Sequence, residues 1–493
     1  MGTTRESESS RLRARLGHPI VDADGHLLEL IPVFQQHFID FVREIGGGDA
    51  AAEFAAAGDW TFDKRVIGPW SAMTEEERRR HWAPRPPWWS IPAKNTLDRA
   101  TAFLPRLMHE RMDEMGIDFA VLYPSRTLVL SSLPNDELRR VATRALNSFH
   151  AAIYREYSDR LTPVAAIPMH TPEEAVDELE YAVKTLGLKA VMINGLVHRP
   201  VGDSATDYDG NVHRTNRPET FGIDSEYDYD PVWAKCIELK VAPASHAGGQ
   251  GFGSRRSISS YVYNHIGAFG VSGEALSKSL FLGGVTRRFP ELRVAFLEGG
   301  VGWACSLYAD LVGHWEKRNV ETLKRTLNPA NMDMTRMLEL FETYGGRVAA
   351  GREDDLGELL GGMTHHLEDL DNVDDFRACE IGDQSDIHDL FVPRFYFGCE
   401  ADDPSNIWAF RGETKLNAIF SSDIGHWDVS DIRECLEEAY ELVEDGELTE
   451  QDFEAFVCSN PISLHGGMNP AFFEGTMVEA DAAHVLAKNG GSD

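Results

Sequence analysis

Short apolar runs alternate with longer amphipathic segments along most of this chain. Apolar residues spaced three and four apart predict helices between the runs, for example over 136–159 and 172–186. Strands that alternate with helices favour parallel pairing through right-handed crossovers. The runs that predict strands are 19–29, 117–125, 161–169, 188–195, 240–249, 293–300, 395–400 and 416–428.

Eight such strands predict a closed (β/α)8 TIM-like barrel of the α/β class rather than an open sheet. The first strand is not followed by a G-x-G-x-x-G turn, so a dinucleotide site has little support. Pro243, inside the fifth run, is an objection because proline cannot donate to a sheet ladder. We predict one barrel domain over residues 18–475, an N-terminal extension over 1–17 and a C-terminal tail over 476–493.

Two insertions account for the chain's length. The first, over about 49–100 after strand 1, contains five of the ten tryptophans. It is either a lid at the mouth of the barrel or a small subdomain that supports the barrel wall. The second, over about 305–390 after strand 6, is strongly acidic, which indicates a solvated face or an interface element.

Charge and composition exclude several classes of function. The net charge of -33 argues against a nucleic-acid or anionic-membrane partner, because both need a basic face. The six cysteines form no C-x-x-C pair, which favours reduced thiols. No apolar run reaches eighteen residues, and the N-terminus lacks the apolar core of a signal peptide. We therefore expect a cytoplasmic protein with a small-molecule substrate.

Ionisable residues end several of the predicted strands. An isolated Asp24-x-His26 pair is more often a turn cap and a hydrogen-bonded core histidine than a metal site. Barrel closure, however, makes strand 8 the neighbour of strand 1, which brings Asp423 beside that pair, while His246 approaches from across the lumen. Two imidazoles and two carboxylates at one point suit zinc, manganese or iron. The strand-end residues are Asp24, His26, His246, Glu298, Glu400 and Asp423.

The chain resembles the amidohydrolase superfamily, in the amidohydrolase-related (amidohydrolase-2) branch that includes aminocarboxymuconate-semialdehyde decarboxylase. The motifs that carry the resemblance are DADGHLLE at 22–29, MDEMGID at 112–118, SHAGG at 245–249, GGVTRRFPELRVAFLEGG at 283–300 and SDIGHWD at 422–428. The resemblance implies a barrel with one catalytic metal ion, and it suggests that such barrels pair as homodimers. The resemblance also implies that the metal ligands are Asp24, His26, His246 and Asp423.

These residues predict a hydrolase in which a metal-activated water attacks a carbonyl-centred bond of a small cyclic or aromatic carboxylate. Asp423 would act as the general base. Zinc is the first choice of ion, with manganese or iron as alternatives. The branch's decarboxylases usually have a histidine where Glu298 stands, which weakens the alternative of non-oxidative decarboxylation of an aromatic or dienoic acid. A non-catalytic ligand-binding barrel is the third possibility.

Further residues are assigned to the pocket with a structural alternative beside each. Glu298 is a second acid or base or a capping carboxylate, His265 is catalytic or packed, and Glu29 orients the metal ligands. Arg126 and Arg199 either bind the substrate carboxylate or are ordinary surface residues. The histidine pair His365 and His366 is expected to be solvated. Predicted substrate-binding residues are Arg126, Trp88, Trp89, Arg199, His426 and Trp427.

Overall fold

The computed structural model describes residues 7–56, 66–87, 95–125, 127–200, 205–206, 212–213, 216–246, 253–349, 351–355, 373–426 and 429–490. Several predicted residues lie outside the described ranges, so their placement stays a prediction. They are Trp60, Trp88, Trp89, Arg126, His365, His366 and Trp427.

Eight parallel strands form the centre of the molecule, in the order β1 to β8 along the chain. Every predicted strand is present, and most are shorter than predicted because their ends pass into loops. Pro243 is the first residue of β5, a position that needs no ladder donor, so it does not interrupt the sheet. The strands are β1 Val21–Leu27, β2 Phe119–Pro124, β3 Leu161–Ile167, β4 Ala190–Ile193, β5 Pro243–Ser245, β6 Val294–Phe296, β7 Phe395–Glu400 and β8 Asn417–Ser421.

Hydrogen bonds just beyond β8 close the barrel onto β1. The backbone N–H of Asp423 donates to the carbonyl of Asp24 at 3.0 Å, and the N–H of His26 donates to the carbonyl of Ile424 at 2.7 Å. The side chain of Asp22 accepts hydrogen bonds from the backbone N–H and the hydroxyl of Ser422. The prediction of a TIM-like barrel is therefore confirmed.

A bulge in β1 separates Asp22 from Asp24 and His26. Asp22 pairs with Ala120 and Gly25 pairs with Leu122, so β1 has one more residue than β2 over this stretch. A Cβ on Gly25 would lie 2.7 Å from the Asp22 carboxylate, which explains the need for glycine. The bulge lets the side chain of Asp22 bind Ser422 after β8, while the side chains of Asp24 and His26 point into the barrel mouth.

Helices cover the outside of the barrel, and several have side-chain caps. Asn135 caps the helix that follows β2, and Thr171 with Glu174 forms a capping box before the helix that follows β3. The longer helices are Glu8–Arg15, Ile31–Ala56, Thr96–Phe103, Pro105–Met115, Asp136–Tyr154, Pro172–Glu180, Asp230–Leu239, Ala268–Leu282, Gly302–Arg318, Met334–Tyr344, Gln384–Phe391, Cys435–Glu444 and Glu479–Gly490. The shorter helices are Gly68–Ala72, Glu75–His81, Tyr261–His265, Val285–Arg288, Val320–Thr322, Gly346–Ala349, Ile407–Phe410, Glu450–Glu454 and Asn460–Gly466.

The helix after β1 is longer than the helix over 30–46 that the sequence predicts. The glycine cluster predicts a stop at Gly46, but the helix continues to Ala56 across a kink at Gly47, whose φ of 82° lies in the left-handed region. The described end of the tryptophan-rich insertion contacts the loop after β5. The guanidinium of Arg85 donates to the carbonyl of Ser259, and the backbone N–H of Arg85 donates to the carbonyl of Ser257. The insertion therefore reaches the face of the barrel where the strands end.

The acidic, tyrosine-rich excursion after β4 contains a two-stranded antiparallel ribbon, Val197–Pro200 with Asn216–Glu219, and a second short pair, Ala205–Thr206 with Val212–His213. Alternation does not predict these strands because they are only two to four residues long. All six cysteines are free. Within the described residues, no helix combines the length and hydropathy that a membrane-spanning segment needs.

Candidate metal centre

Five ionisable side chains meet at the mouth of the barrel. Nε2 of His26 lies 2.9 Å from Oδ1 of Asp423 and 3.1 Å from Oε1 of Glu298. Nε2 of His246 lies 3.4 Å from the same Glu298 oxygen and 3.6 Å from Oδ1 of Asp24. None of the five side chains is more than 6% exposed. Strand ends from four parts of the chain thus build one buried cluster.

The backbone and neighbouring side chains fix these groups in place. Glu298 and Asp423 have φ values of 53° and 51°, in a left-handed region that costs a non-glycine residue about 1–3 kcal/mol. Nδ1 of His26 lies 2.9 Å from the hydroxyl of Ser125, which directs its Nε2 to the cluster. The ring of Tyr123 stacks on His246 with centroids 5.0 Å apart. Such strain is typical of functional sites.

The cluster has the features expected of a cation site. Among the described residues, both carboxylate oxygens of Asp24 and both ring nitrogens of His246 are buried without a hydrogen-bond partner. Buried polar atoms of this kind are costly unless paired or bound to a metal. Two sets of ligand atoms lie within 4.8 Å of one another: Asp24, His26 and His246, and His26, Glu298 and Asp423. The residues therefore fit a single divalent ion.

The electrostatics of the cluster point the same way. Burial raises the pKa of Asp24 to about 8, although the two histidines oppose the shift. Burial lowers the pKa of His26, but Asp423 and Glu298 more than compensate and raise it to about 10. Burial raises the pKa of Glu298, but His246 and His26 outweigh it, so that pKa lies well below the usual value. Without a cation, Asp24 thus retains its proton at neutral pH, whereas Glu298 is ionised.

The structure brings His426 to the cluster. Its Nδ1 lies 2.9 Å from Oδ2 of Asp423, and its ring lies 4.8 Å from that of His26. The side chain is 21% exposed, so it connects the buried carboxylate to the surface. His265 lies one ring farther away: it contacts Phe269, which in turn contacts His246.

Two other predicted residues make contacts away from the cluster. The guanidinium of Arg199 pairs with Glu219 and donates to the carbonyl of His170, so it fastens the ribbon after β4 to the barrel. Glu29 accepts a hydrogen bond of 2.6 Å from Thr127 and lies 3.6 Å from Nε2 of His150, so these contacts are with the segment and the helix that follow β2. These contacts favour the structural alternative for Arg199.

Three residues of the site were not predicted. Ser125 directly follows β2, so the rule that selects residues at strand ends could have found it. Tyr123 lies inside an apolar strand, and Phe269 lies in a helix, so no polar signal marks either.

A cavity of about 230 Å³ also opens beside Asp423 at the ends of β7 and β8. Its lining residues are Glu400, Ala401, Asp402, Ser422, Asp423, Val429, Ser430, Asp431, Cys435 and Glu438.

Comparison with known proteins agrees with this architecture. A segment of 84 residues is 36% identical to the gamma-resorcylate decarboxylase of Polaromonas sp. (strain JS666). That match covers 17% of this chain and spans about a quarter of the relative's length, 26%. This curated relative is therefore matched only locally.

Solved structures resemble the whole fold. An amidohydrolase from Mycobacterium avium subsp. paratuberculosis K-10 is 15% identical, with 92% of this chain and 98% of that chain covered and a TM-score of 0.54. A dihydroxybenzoic acid decarboxylase from Polaromonas sp. JS666, with bound manganese and 2-nitroresorcinol, is 14% identical over 91% and 97% of the two chains, with a TM-score of 0.48. At 15% identity the likeness to the Mycobacterium avium amidohydrolase shows the fold alone. The family model described as Amidohydrolase (Amidohydro_2) matches residues 21–328, well over half of the sequence, and the chain belongs to that family.

Proposed function

We propose that this protein is a metal-dependent enzyme that removes carbon dioxide, without oxidation, from a small aromatic or dienoic acid. The observation that carries the proposal is the buried cluster with its unpartnered Asp24 and His246 atoms. The local identity to gamma-resorcylate decarboxylase supports decarboxylation over the hydrolysis that the sequence predicts first. Membership of the amidohydrolase family supports an enzyme rather than a ligand-binding barrel.

The cluster would hold one divalent ion through Asp24, His26, His246 and Asp423, with Glu298 facing the same point. Two carboxylates in the ligand set and a third beside it make the site rich in hard oxygen atoms, which favours manganese over zinc. When bound, the ion supplies positive charge that attracts a carboxylate and a neighbouring oxygen of the substrate. The side chains of this chain then orient the acid and move its proton.

Asp423 is the residue assigned to the proton. As the bond between the ring carbon and the carboxylate breaks, its electron pair stays on the ring carbon, which takes a proton, and carbon dioxide leaves. Burial raises the pKa of Asp423, but His426 and His26 outweigh burial and hold that pKa below its usual value. Asp423 would therefore pass to the ring carbon a proton that it receives from His426, whose Nδ1 lies 2.9 Å away and whose ring reaches the surface. The rings of Tyr123 and Phe269 beside His246 favour a planar substrate.

Hydrolysis remains a second candidate because of Glu298. This buried carboxylate stays ionised and lies 3.1 Å from His26 and 3.4 Å from His246. A carboxylate at this position adds negative charge, which disfavours an anionic substrate and suits a base that accepts a proton from water. Glu298 is thus the residue on which the two reactions differ most.

Isotope incorporation distinguishes the two reactions. The manganese-loaded protein is incubated with a panel of 2-hydroxybenzoates that includes 2,6-dihydroxybenzoate, in ²H₂O and, separately, in H₂¹⁸O. Decarboxylation predicts release of carbon dioxide, one deuterium on the ring carbon and no ¹⁸O in the aromatic product. Acids that stay intact, together with ¹⁸O-labelled products from a matched panel of lactones and amides, would reject decarboxylation in favour of hydrolysis. Asp423→Asn is the control for turnover by a contaminant.

A further inference from the structure

The segment 320–349 carries an amphipathic helix that the described part of the barrel does not cover. The apolar side chains of Met334–Tyr344 lie on one face of the helix, and none of its residues is buried. Tyr344 is 79% exposed, and Val348, in the separate short helix that follows, is 89% exposed. The residues of this apolar face are Met334, Met337, Leu338, Phe341 and Tyr344.

A helix of this length needs a packing partner. Isolated helices shorter than about 12–15 residues are marginal in water, and packing of the apolar face supplies most of their stability. Among the described elements, the helix packs chiefly on the short helical turns that follow it, Gly346–Ala349 and Glu353–Asp355. On its opposite face, Arg336 pairs with Glu339 at 2.8 Å. The apolar face therefore has the character of one half of an interface.

The charge of the segment indicates which partner fits. Residues 320–349 contain four basic and four acidic side chains, in a chain whose net charge is -33. Two copies of an acidic protein repel one another, and a contact through this neutral segment adds less repulsion than a contact through an acidic face. A basic partner would instead be attracted to the acidic surface elsewhere. The charged residues are Glu321, Lys324, Arg325, Asp333, Arg336, Glu339, Glu342 and Arg347.

We propose that the apolar face of Met334–Tyr344 forms a two-fold interface with the same face of a second copy of this chain. In such an isologous contact each copy presents the same patch, so a neutral and apolar surface is self-complementary. The interface lies on the insertion and leaves the metal cluster to each copy. The proposal thus assigns a location to the interface of the predicted homodimer.

Sedimentation equilibrium of the full chain, with one matched pair of variants, tests this proposal. The wild-type chain of 55.0 kDa is expected to sediment as a species of twice that mass. Phe341→Arg places a charge in the centre of the apolar face and should raise the dimer Kd at least about thirtyfold, the loss expected for a central anchor. Thr335→Arg adds the same side chain on the opposite face and should leave the Kd unchanged.

Ionic strength separates a second copy from other partners. Salt screens the repulsion between two acidic chains, so an apolar dimer should tighten as salt rises, whereas a complex with a basic partner should weaken. Far-ultraviolet circular dichroism checks that both variants fold. A wild-type chain that stays monomeric at micromolar concentration overturns the proposal and assigns the face to another partner. A dimer that both arginine variants weaken equally, or that neither weakens, overturns it as well.

Discussion

Two buried clusters of charged side chains in this protein have opposite characters. Between the helices that follow β2 and β3, the fully buried Arg139 donates to Glu174, to Asp136 and to the carbonyl of Leu133. At the barrel mouth, Asp24 and His246 have buried polar atoms without a hydrogen-bond partner among the described residues. In the first cluster, the positive charge of Arg139 is paired with negative carboxylates, and its hydrogen bonds are satisfied within the chain.

The difference shows what the mouth cluster lacks. A buried ion pair that satisfies its own hydrogen bonds is a structural feature, and it needs no ligand. Three carboxylates around two imidazoles leave an excess of negative charge unless protons or a cation balance it. Burial by itself therefore does not identify a functional site. What distinguishes the mouth cluster is burial together with unpartnered polar atoms and an excess of carboxylates.

The largest expected effect is the loss of turnover in Asp423→Asn. The amide keeps the shape of the side chain but cannot hold or transfer the proton, so kcat should fall about 10²–10⁴-fold. Steady-state kinetics on the substrate found by the isotope experiment measures the change. Asp402→Asn removes a carboxylate from the adjacent cavity and should keep near-normal activity. Full activity in Asp423→Asn would remove this residue from the chemistry.

The second prediction breaks the complete cluster. Arg139→Met leaves the buried Glu174 carboxylate without its main partner and should lower the free energy of unfolding by about 3–5 kcal/mol. Arg140 is half exposed and approaches Glu174 only to 3.4 Å, so Arg140→Met should cost less than about 1 kcal/mol. Urea unfolding of the three proteins gives the values. Equal losses in both variants would contradict the distinction.

The third prediction adds the missing charge to the mouth cluster. A divalent ion that binds only the folded chain at a hundred times its Kd should stabilise it by about 2.7 kcal/mol. Asp24→Asn should abolish that response without destabilising the metal-free protein, because it removes an unpaired buried carboxylate. Thermal unfolding with manganese and with a chelator provides the comparison. Equal stabilisation of wild type and variant would place the ion elsewhere.

The smallest effect is the dependence of metal affinity on pH. The pKa of Asp24 is raised to about 8 and that of His26 to about 10, so both groups hold protons in the metal-free protein at neutral pH. The ion must displace those protons, and each one displaced makes the affinity rise about tenfold per pH unit. Calorimetric titrations between pH 6 and 8 should show affinity that increases with pH and protons released to the buffer. Affinity independent of pH would contradict these protonation states.

Much of this architecture is predictable from the sequence, for a physical reason. Buried parallel strands are short apolar runs, so all eight can be recognised, and closure of the barrel follows from their number. Asp24, His26, His246 and Asp423 can then be grouped because the strand ends of a barrel share one face.

The remaining features depend on pairings between distant residues. The bulge in β1 arises from register with β2, and the contact of Asp22 with Ser422 spans 400 positions in the chain. Arg199 looks like a substrate ligand until Glu219 is placed beside it. The continuation of the helix beyond Gly47 likewise depends on tertiary packing, which buries Ala51 and Phe54, because the glycine cluster alone favours a helix end.

The most direct test of the central claim is the metal content of the purified protein. The full chain is loaded with manganese, freed of loosely bound ions by gel filtration and analysed by inductively coupled plasma mass spectrometry beside His246→Ala. If the mouth cluster is a single divalent-metal centre, the wild-type chain will retain one ion per chain and the variant will retain far less. A wild-type chain that retains no stoichiometric metal, or a variant that retains as much, would contradict the account.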